Sequence, residues 1–383
     1  MKENNSNSKI YKGIDIYNNG EEFSPNNGER KNFIQNKMMK FFKKISDTIY
    51  FSSDNKGFVY YLDFDKNKKS FKITNLNYIC NDSKYILVDI IKSTKFDFYF
   101  SLNLNPCLNI FKINDNNNKK EIEMIQHINL TQNKNNNRNK VKYNKIFEIN
   151  TKYNDCFILL GDNTIELWIN NNNNSNKTIN YEFIHLIEIE NMNNANNINN
   201  NDIINSNIIS NIFKKDEENL ILLNLNEFQK FQIIEVKISE FKSEKYSKNI
   251  IPNIAIKNKK NIKALEGQIE KINSLFINKD YIFLGLVNSL VLISISYGEI
   301  IQKYEVGKIL QMKLTNDKKY VYSFVEKEGK FYFIKFKFTE YEGLTEEKKV
   351  EYKEWIYKFD VVESLNLIVI YNIRGLITLL SFE

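Results

Sequence analysis

From 155 to 169 the chain reads DCFILLGDNTIELWI, an apolar run, a Gly161-Asp162-Asn163 corner and an alternating run that reaches Trp168. Short apolar runs joined by a Gly/Asp/Asn corner predict two antiparallel strands and a tight turn. The unit recurs. Variants lie at 48–64 (TIYFSSDNKGFVYYLDF), 96–113, 219–238, 281–296 (YIFLGLVNSLVLISIS), 319–338 and 366–382, which with the first makes seven. Their second runs begin near Phe58, Cys107, Ile165, Phe231, Leu290, Phe331 and Leu376. The last three are spaced as a four-stranded repeating unit of about 40–45 residues requires. The wider intervals contain Asn- or Lys-rich segments at 114–120, 131–139, 170–180, 191–205 and 245–263. Such segments bury too little apolar surface to offset the entropy of ordering them, which predicts loops.

Further strands are expected around the hairpins, at 141–149 and 181–189 about the third and at 269–276 and 299–306 about the fifth. MMKFFKK at 38–44 also reads as a strand, and no long amphipathic helix appears anywhere. The pattern predicts an all-β chain, a seven-bladed β-propeller of four-stranded antiparallel sheets. Blades are expected at about 38–76, 77–130, 141–190, 207–244, 264–306, 307–352 and 353–383, all in one domain. The last is a strand short, and KIYKGIDIY at 9–17 has the alternation to supply it by pairing with 376–382, so that the N-terminal strand closes the ring.

The segments CFILLGDNTIELWI (156–169) and YIFLGLVNSLVLISISYGEIIQKYEV (281–306) resemble the inner strands of divergent WD-repeat blades, with Trp168 where that family places the Trp of its Trp-Asp pair. Ile169 stands in place of the Asp, and neither His127 nor His185 follows a Gly, so the family's buried Asp/His/Ser/Trp network has no counterpart in its usual form. Apolar packing between sheets must then hold the blades together.

Composition narrows the function without naming it. Among 383 residues, 54 basic side chains oppose 47 acidic ones, a net charge of +7 that is mild for this length. A dedicated nucleic-acid domain would concentrate its charge more. Asn is abundant and Gly scarce, which assigns much of the turn work to Asn. Cys80, Cys107 and Cys156 lack metal-ligand spacing and read as small buried hydrophobes in a reducing, intracellular setting, cytoplasmic or nuclear. No apolar window is long enough to span a membrane, and the N-terminus lacks the apolar core of a secretion signal.

No catalytic residues, metal ligands or cofactor are expected. Both histidines fall in predicted outer strands, and no nucleophile elbow, zinc-binding helix or phosphate loop occurs. The carboxylate groups at 216–218 and 346–347 read as solvated turns. The basic stretch KNIIPNIAIKNKKNIK carries Lys248, Lys257, Lys259, Lys260 and Lys263 with no acid among them. It reads as a solvated inter-blade loop, with phosphate contact as the functional alternative. A second cluster, Lys134, Arg138, Lys140, Lys142 and Lys145, reads the same way. Arg374-Gly375 lacks the second arginine of phosphoinositide-binding propellers and reads as a strand-to-strand turn, which argues against peripheral membrane binding. The expected function is a non-catalytic scaffold that binds other protein subunits in an intracellular complex. The alternatives are a subunit of an RNA-modifying or RNA-processing assembly, for example in tRNA modification, and a membrane-trafficking propeller.

Overall fold

Asp54 shows how the sequence makes its corners. Its carboxylate accepts the backbone N–H of Lys56 (2.9 Å) and of Phe58 (3.0 Å), while Gly57 supplies a φ of +85° that a side chain would resist. The chain therefore reverses between Ile49–Asp54 and Val59–Asp65, with Ser53 opposite Val59 and Ile49 opposite Asp63. The template hairpin forms likewise. Asp155–Gly161 lies against Thr164–Asn170, with Cys156 opposite Ile169 and Leu160 opposite Ile165.

The computed structural model describes residues 13–15, 22–23, 38–76, 86–116, 119–130, 142–150, 155–161, 164–170, 179–188, 208–214, 219–225, 231–242, 250–261, 272–278, 280–372 and 375–382. These residues form seven antiparallel sheets and a single short 3-10 turn, Glu363–Leu365. Blade 1 comprises Met39–Lys44, Ile49–Asp54, Val59–Asp65 and Ser70–Asn75, and blade 2 Leu87–Lys92, Tyr99–Asn103, Cys107–Asn116 and Lys119–Asn129. Blade 3 comprises Tyr143–Asn150, Asp155–Gly161, Thr164–Asn170 and Tyr181–Glu188, and blade 4 Ile208–Lys214, Asn219–Leu225, Phe231–Lys242 and Ile250–Asn261. Blade 5 is built from Ser274–Ile277, Tyr281–Gly285, Ser289–Ser294 and Ile300–Glu305, and blade 6 from Lys308–Leu314, Tyr320–Lys327, Lys330–Thr339 and Gly343–Tyr352. Blade 7 has Lys358–Val362, Leu367–Tyr371 and Leu376–Ser381. Its fourth strand comes from the other end of the chain. Gly13–Asp15 lies antiparallel to Leu376–Ser381, with Ile14 opposite Ile377, and Glu22–Phe23 adds a fifth strand outside it.

First strands of successive blades touch one another and that of blade 7 touches that of blade 1, while between blades 3 and 4 the second strand Asp155–Gly161 meets the first strand Ile208–Lys214. The sheets thus stand around an axis lined by their first strands. The apolar hairpins of the sequence are second and third strands; the innermost strand is the more polar one before them. The two middle strands have neighbours on both edges and covered faces, so they demand apolar side chains, whereas a strand beside the axis tolerates charge.

The core is a set of slabs between adjacent blades. Phe51, Tyr61, Ile90, Tyr99 and Phe111 pack blade 1 on blade 2; Phe100, Ile110, Phe157 and Trp168 pack blade 2 on blade 3. Phe42, Tyr50, Val369 and Tyr371 join blade 1 to blade 7, where Phe42 stacks on Tyr371 with ring centroids 4.4 Å apart. Each such side chain stabilises the fold by about 1.5–3 kcal/mol on burial, against about 0–1 kcal/mol for an exposed ion pair. Apolar packing dominates, as the missing polar network requires.

Several expectations change. Segment 114–120 is not a loop: Cys107–Asn116 and Lys119–Asn129 run through it as a long hairpin, Lys119 opposite Asn116. Most of 245–263 is likewise strand, because Ile250, Ile254 and Ile256 give Ile250–Asn261 enough apolar character to pair with Phe231–Lys242. Pro252, which has no N–H to donate, is tolerated because that strand is outermost. Glu346 and Glu347 lie in the fourth strand of blade 6, not in a turn, and Glu347 pairs with Lys335 at 2.7 Å. Left-handed turn positions among the described non-glycine residues are Lys69, Lys318, Glu328 and Asn366, so Asn takes only one of them. Segments 131–139 and 191–205 lie outside the described residues, as does 170–180 apart from its ends.

Candidate functional site

A propeller offers two faces made of turns and an axis made of first strands. On the face formed by the turns between second and third strands and by the connections between blades, three large apolar side chains among the described residues reach solvent. Trp355, between blades 6 and 7, is 51% exposed; Met38, at the entry to blade 1, and Leu104, in the turn of blade 2, are exposed as well. They stand on the same face of blades 6 to 2, at the blade 6–7 connection, the entry to blade 1 and the turn of blade 2. The backbone beneath is fixed by two cross-blade bonds, Gln311 Nε2 to Tyr357 O (2.6 Å) and Tyr357 OH to Lys40 O (2.7 Å), and within blade 1 by Met38 N to Asn55 Oδ1 (3.0 Å). On the opposite face Tyr297 and Tyr341 project from the outer turns of the adjacent blades 5 and 6, and Tyr341 is fully exposed.

Trp168 is buried, and its indole Nε1 donates to Glu166 Oε2 at 3.1 Å. Glu166 is fully buried and also accepts from Tyr143 OH at 2.7 Å. This pair of donors ties the first strand of blade 3 to its third, a structural tether in place of the WD-family network.

Charged side chains meet at the axis. Lys43 pairs with Asp89 across blades 1 and 2, and Asp89 also accepts the N–H of Ile146 in blade 3 (2.9 Å). Lys313 of blade 6 pairs with Asp360 of blade 7 (2.9 Å), while Lys358 Nζ donates to Phe42 O of blade 1 (3.2 Å). Lys44 binds Asp47 (2.8 Å) and Val361 O. Burial lowers the Lys358 pKa to about 8; neighbouring Lys313 and Lys43 add to the fall, opposed by Asp360 and Asp89. Burial also lowers Lys145, where Lys43 and Lys313 again act in the same sense and Asp89 against.

Of the lysines expected to contact phosphate, Lys248 and Lys263 lie outside the described residues, and Lys259 and Lys260 belong to the outermost strand of blade 4. Lys257 is exposed on that strand, with its Nζ 4.0 Å from Glu235 Oε1, so folding gives this stretch an acidic neighbour that the linear sequence does not. In the second cluster Lys134, Arg138 and Lys140 lie outside the described residues, Lys142 is exposed, and Lys145 is not in a loop: it sits in the first strand of blade 3. Arg374 is outside the described residues; Gly375 turns the chain between Leu367–Tyr371 and Leu376–Ser381. Both histidines lie in fourth strands, where His127 Nδ1 is 2.6 Å from Asn109 Oδ1. Cys107 and Cys156 are buried and unbridged; Cys80 is outside the described residues. No group of three or more His, Cys, Asp or Glu among the described residues is arranged to hold a metal, and none of the described helices could cross a membrane.

Similarity to solved structures places this architecture. The WD40 domain of SCAP from fission yeast superposes with a TM-score of 0.50 at 9% identity, over 90% of this chain and 95% of that one. A chain of the mitotic checkpoint complex gives 0.55 at 9% identity, over 99% and 96%. The chain has the fold of a WD-repeat-like propeller. A putative 6-phosphogluconolactonase from Bacteroides uniformis also superposes, with a TM-score of 0.52 at 11% identity over 88% and 89%, so the likeness is one of fold and not of activity. No protein-family model matches the sequence, and no curated protein matches it significantly.

Proposed function

We propose that this propeller is a non-catalytic platform that binds protein subunits in an intracellular complex. The observation that carries the reading is the exposure of Met38, Leu104 and Trp355 on one rigid face. Large apolar side chains held out of a packed framework are what a protein partner buries, and Trp is the residue most enriched among those that dominate binding. The WD40 domains it resembles support the reading at the level of fold. The test is tagged purification of the full chain followed by gel filtration, comparing wild type with Trp355→Ala and Tyr341→Ala. A partner that co-elutes with wild type and is lost from Trp355→Ala, with unchanged thermal stability, supports the platform. A chain that elutes alone, or a complex indifferent to both variants, overturns it. Treating the complex with nuclease separates the RNA alternative: an assembly that falls apart is held by RNA.

A further inference from the structure

Tyr297 and Tyr341, 80% and 100% exposed, stand on the side of the propeller away from Trp355, each in a turn held by its own hydrogen bonds. Tyr297 N donates to Ser294 Oγ (3.3 Å), and Glu342 N to Thr339 Oγ1 (3.0 Å). The blades that carry them are stitched together beside these turns. Gln302, in the strand that follows Tyr297, donates from Nε2 to Leu344 O (2.9 Å) and accepts from Leu344 N at Oε1 (2.6 Å). Gly343, at a φ of +72°, permits this approach, since a Cβ there would collide with Gln302 Oε1. Nearer the axis Tyr281 of blade 5 meets Phe338 of blade 6 edge to face, with ring centroids 5.2 Å apart. Asp280 precedes the first of these residues and Glu340 follows the second by two, and both carboxylates add to the rise that burial gives the Tyr281 pKa. Glu299 and Glu342 flank the two exposed tyrosines along the chain.

The seam between blades 5 and 6 thus presents two aromatic rings and four exposed carboxylates, on a chain whose net charge is +7. None of the four forms an ion pair among the described residues. The cations in the described turns on this side of the two blades are Lys318 and Lys319, beside Asp317, and strand alternation puts Lys337 on the face opposite Phe338. The acidity is local, for the matching outer turn of blade 1 carries Lys66, Lys68 and Lys69. Among the described residues no three carboxylates converge as a metal ion requires, so the cation that complements them is an extended one.

We propose that this seam docks an arginine-bearing segment of a partner protein, with Tyr297 and Tyr341 stacking on guanidinium planes and Asp280, Glu299, Glu340 and Glu342 accepting their N–H groups. A guanidinium meets both demands at once, because its plane lies on a ring while its edge forks onto a carboxylate; an ammonium has no such plane. The site does not use the Trp355 face and stands or falls separately from it.

Fluorescence anisotropy of a labelled peptide of alternating arginine and serine, titrated with the purified full chain, tests the proposal against lysine–serine and glutamate–serine peptides of the same length. The arginine peptide is expected to bind most tightly, the lysine peptide more weakly and the glutamate peptide not at all, with affinity falling as salt is raised. Tyr341→Ala should weaken the arginine peptide about threefold to tenfold, and Tyr341→Phe, which keeps the ring, should retain most of the binding. Glu340→Gln combined with Glu342→Gln should weaken it by a similar factor, whereas Glu328→Gln with Glu354→Gln, which removes the same charge from the opposite face, should leave it unchanged. Arginine and lysine peptides of equal affinity overturn the site, as do full binding by Tyr341→Ala, an equal loss in the two double variants, or an arginine peptide that binds no better than the glutamate one. Should a variant fail to fold, the ranking of the three peptides on wild type decides the matter.

Discussion

Glu166 condenses the logic of the molecule to one side chain. A fully buried carboxylate is tolerable only with donors around it, and Tyr143 and Trp168 provide two. Tyr143→Phe removes one donor while keeping the ring, and should destabilise the fold by about 1–3 kcal/mol in urea titration. Trp168→Ala removes that donor and also a ring stacked on Phe157, and should cost about 3–5 kcal/mol. Lys358 gives a prediction in pH. Its folded pKa of about 8 lies below the ordinary 10.5, so between these values the unfolded chain binds more protons than the native one, and stability from this group rises with pH. The groups that set this are Lys313, Lys43, Asp360 and Asp89, together with burial. In Lys358→Met the rise in stability between pH 8 and pH 10, followed by chemical denaturation, should flatten. Tyr61 and Tyr352, raised by burial to about 12, reverse the slope only above pH 10, where the unfolded chain loses its phenolic protons first.

At the scale of strands, the hairpins were legible because each has a local signature. The third strands start at Val59, Cys107, Thr164, Phe231, Ser289, Lys330 and Leu376, all within a residue of the starts read from apolar runs and corners. Ile250–Asn261 was not legible as a strand. Its Ile alternation is embedded in Lys and Asn, and only the long partner Phe231–Lys242 gives it somewhere to pair. The axial ion pairs were hidden for a related reason. Lys43 and Asp89, like Lys313 and Asp360, are far apart in the chain and pair only when first strands converge. The available signal was a charged residue inside a short, otherwise largely apolar strand, as in Leu87–Lys92, and it carries meaning only once that strand is known to be innermost. First strands also bulge in blades 1, 2, 3, 4 and 6, at Lys40, Val88, Asn144, Ser210 and Leu310, a repetition that no composition or spacing announced. The prediction at this scale concerns the borrowed strand. Deleting residues 1–23 bares the edge of Leu376–Ser381, and should lower the melting temperature and produce concentration-dependent aggregation in light scattering, because an unpaired edge templates further pairing.

For the molecule as a whole, strength lies in slabs between blades, not in any one sheet. Native-state hydrogen exchange should therefore grade from inside out. Amides of Leu367–Tyr371, with a strand on each side and every side chain buried, should exchange far more slowly than those of Gly343–Tyr352, which forms the rim of blade 6. Phe42→Ala, at the joint of blades 1 and 7, should cost about 3–5 kcal/mol and should weaken both blades together.

Blade 7 joins residues from opposite ends of the chain, and that has a consequence for biosynthesis. Until Leu376–Ser381 emerges from the ribosome, Gly13–Asp15 has no partner there, and the flank of blade 1 that packs against blade 7 is bare. Blade 1 must wait with that flank open, so this protein should depend on chaperones, and be most vulnerable to proteases, until blade 7 has been made.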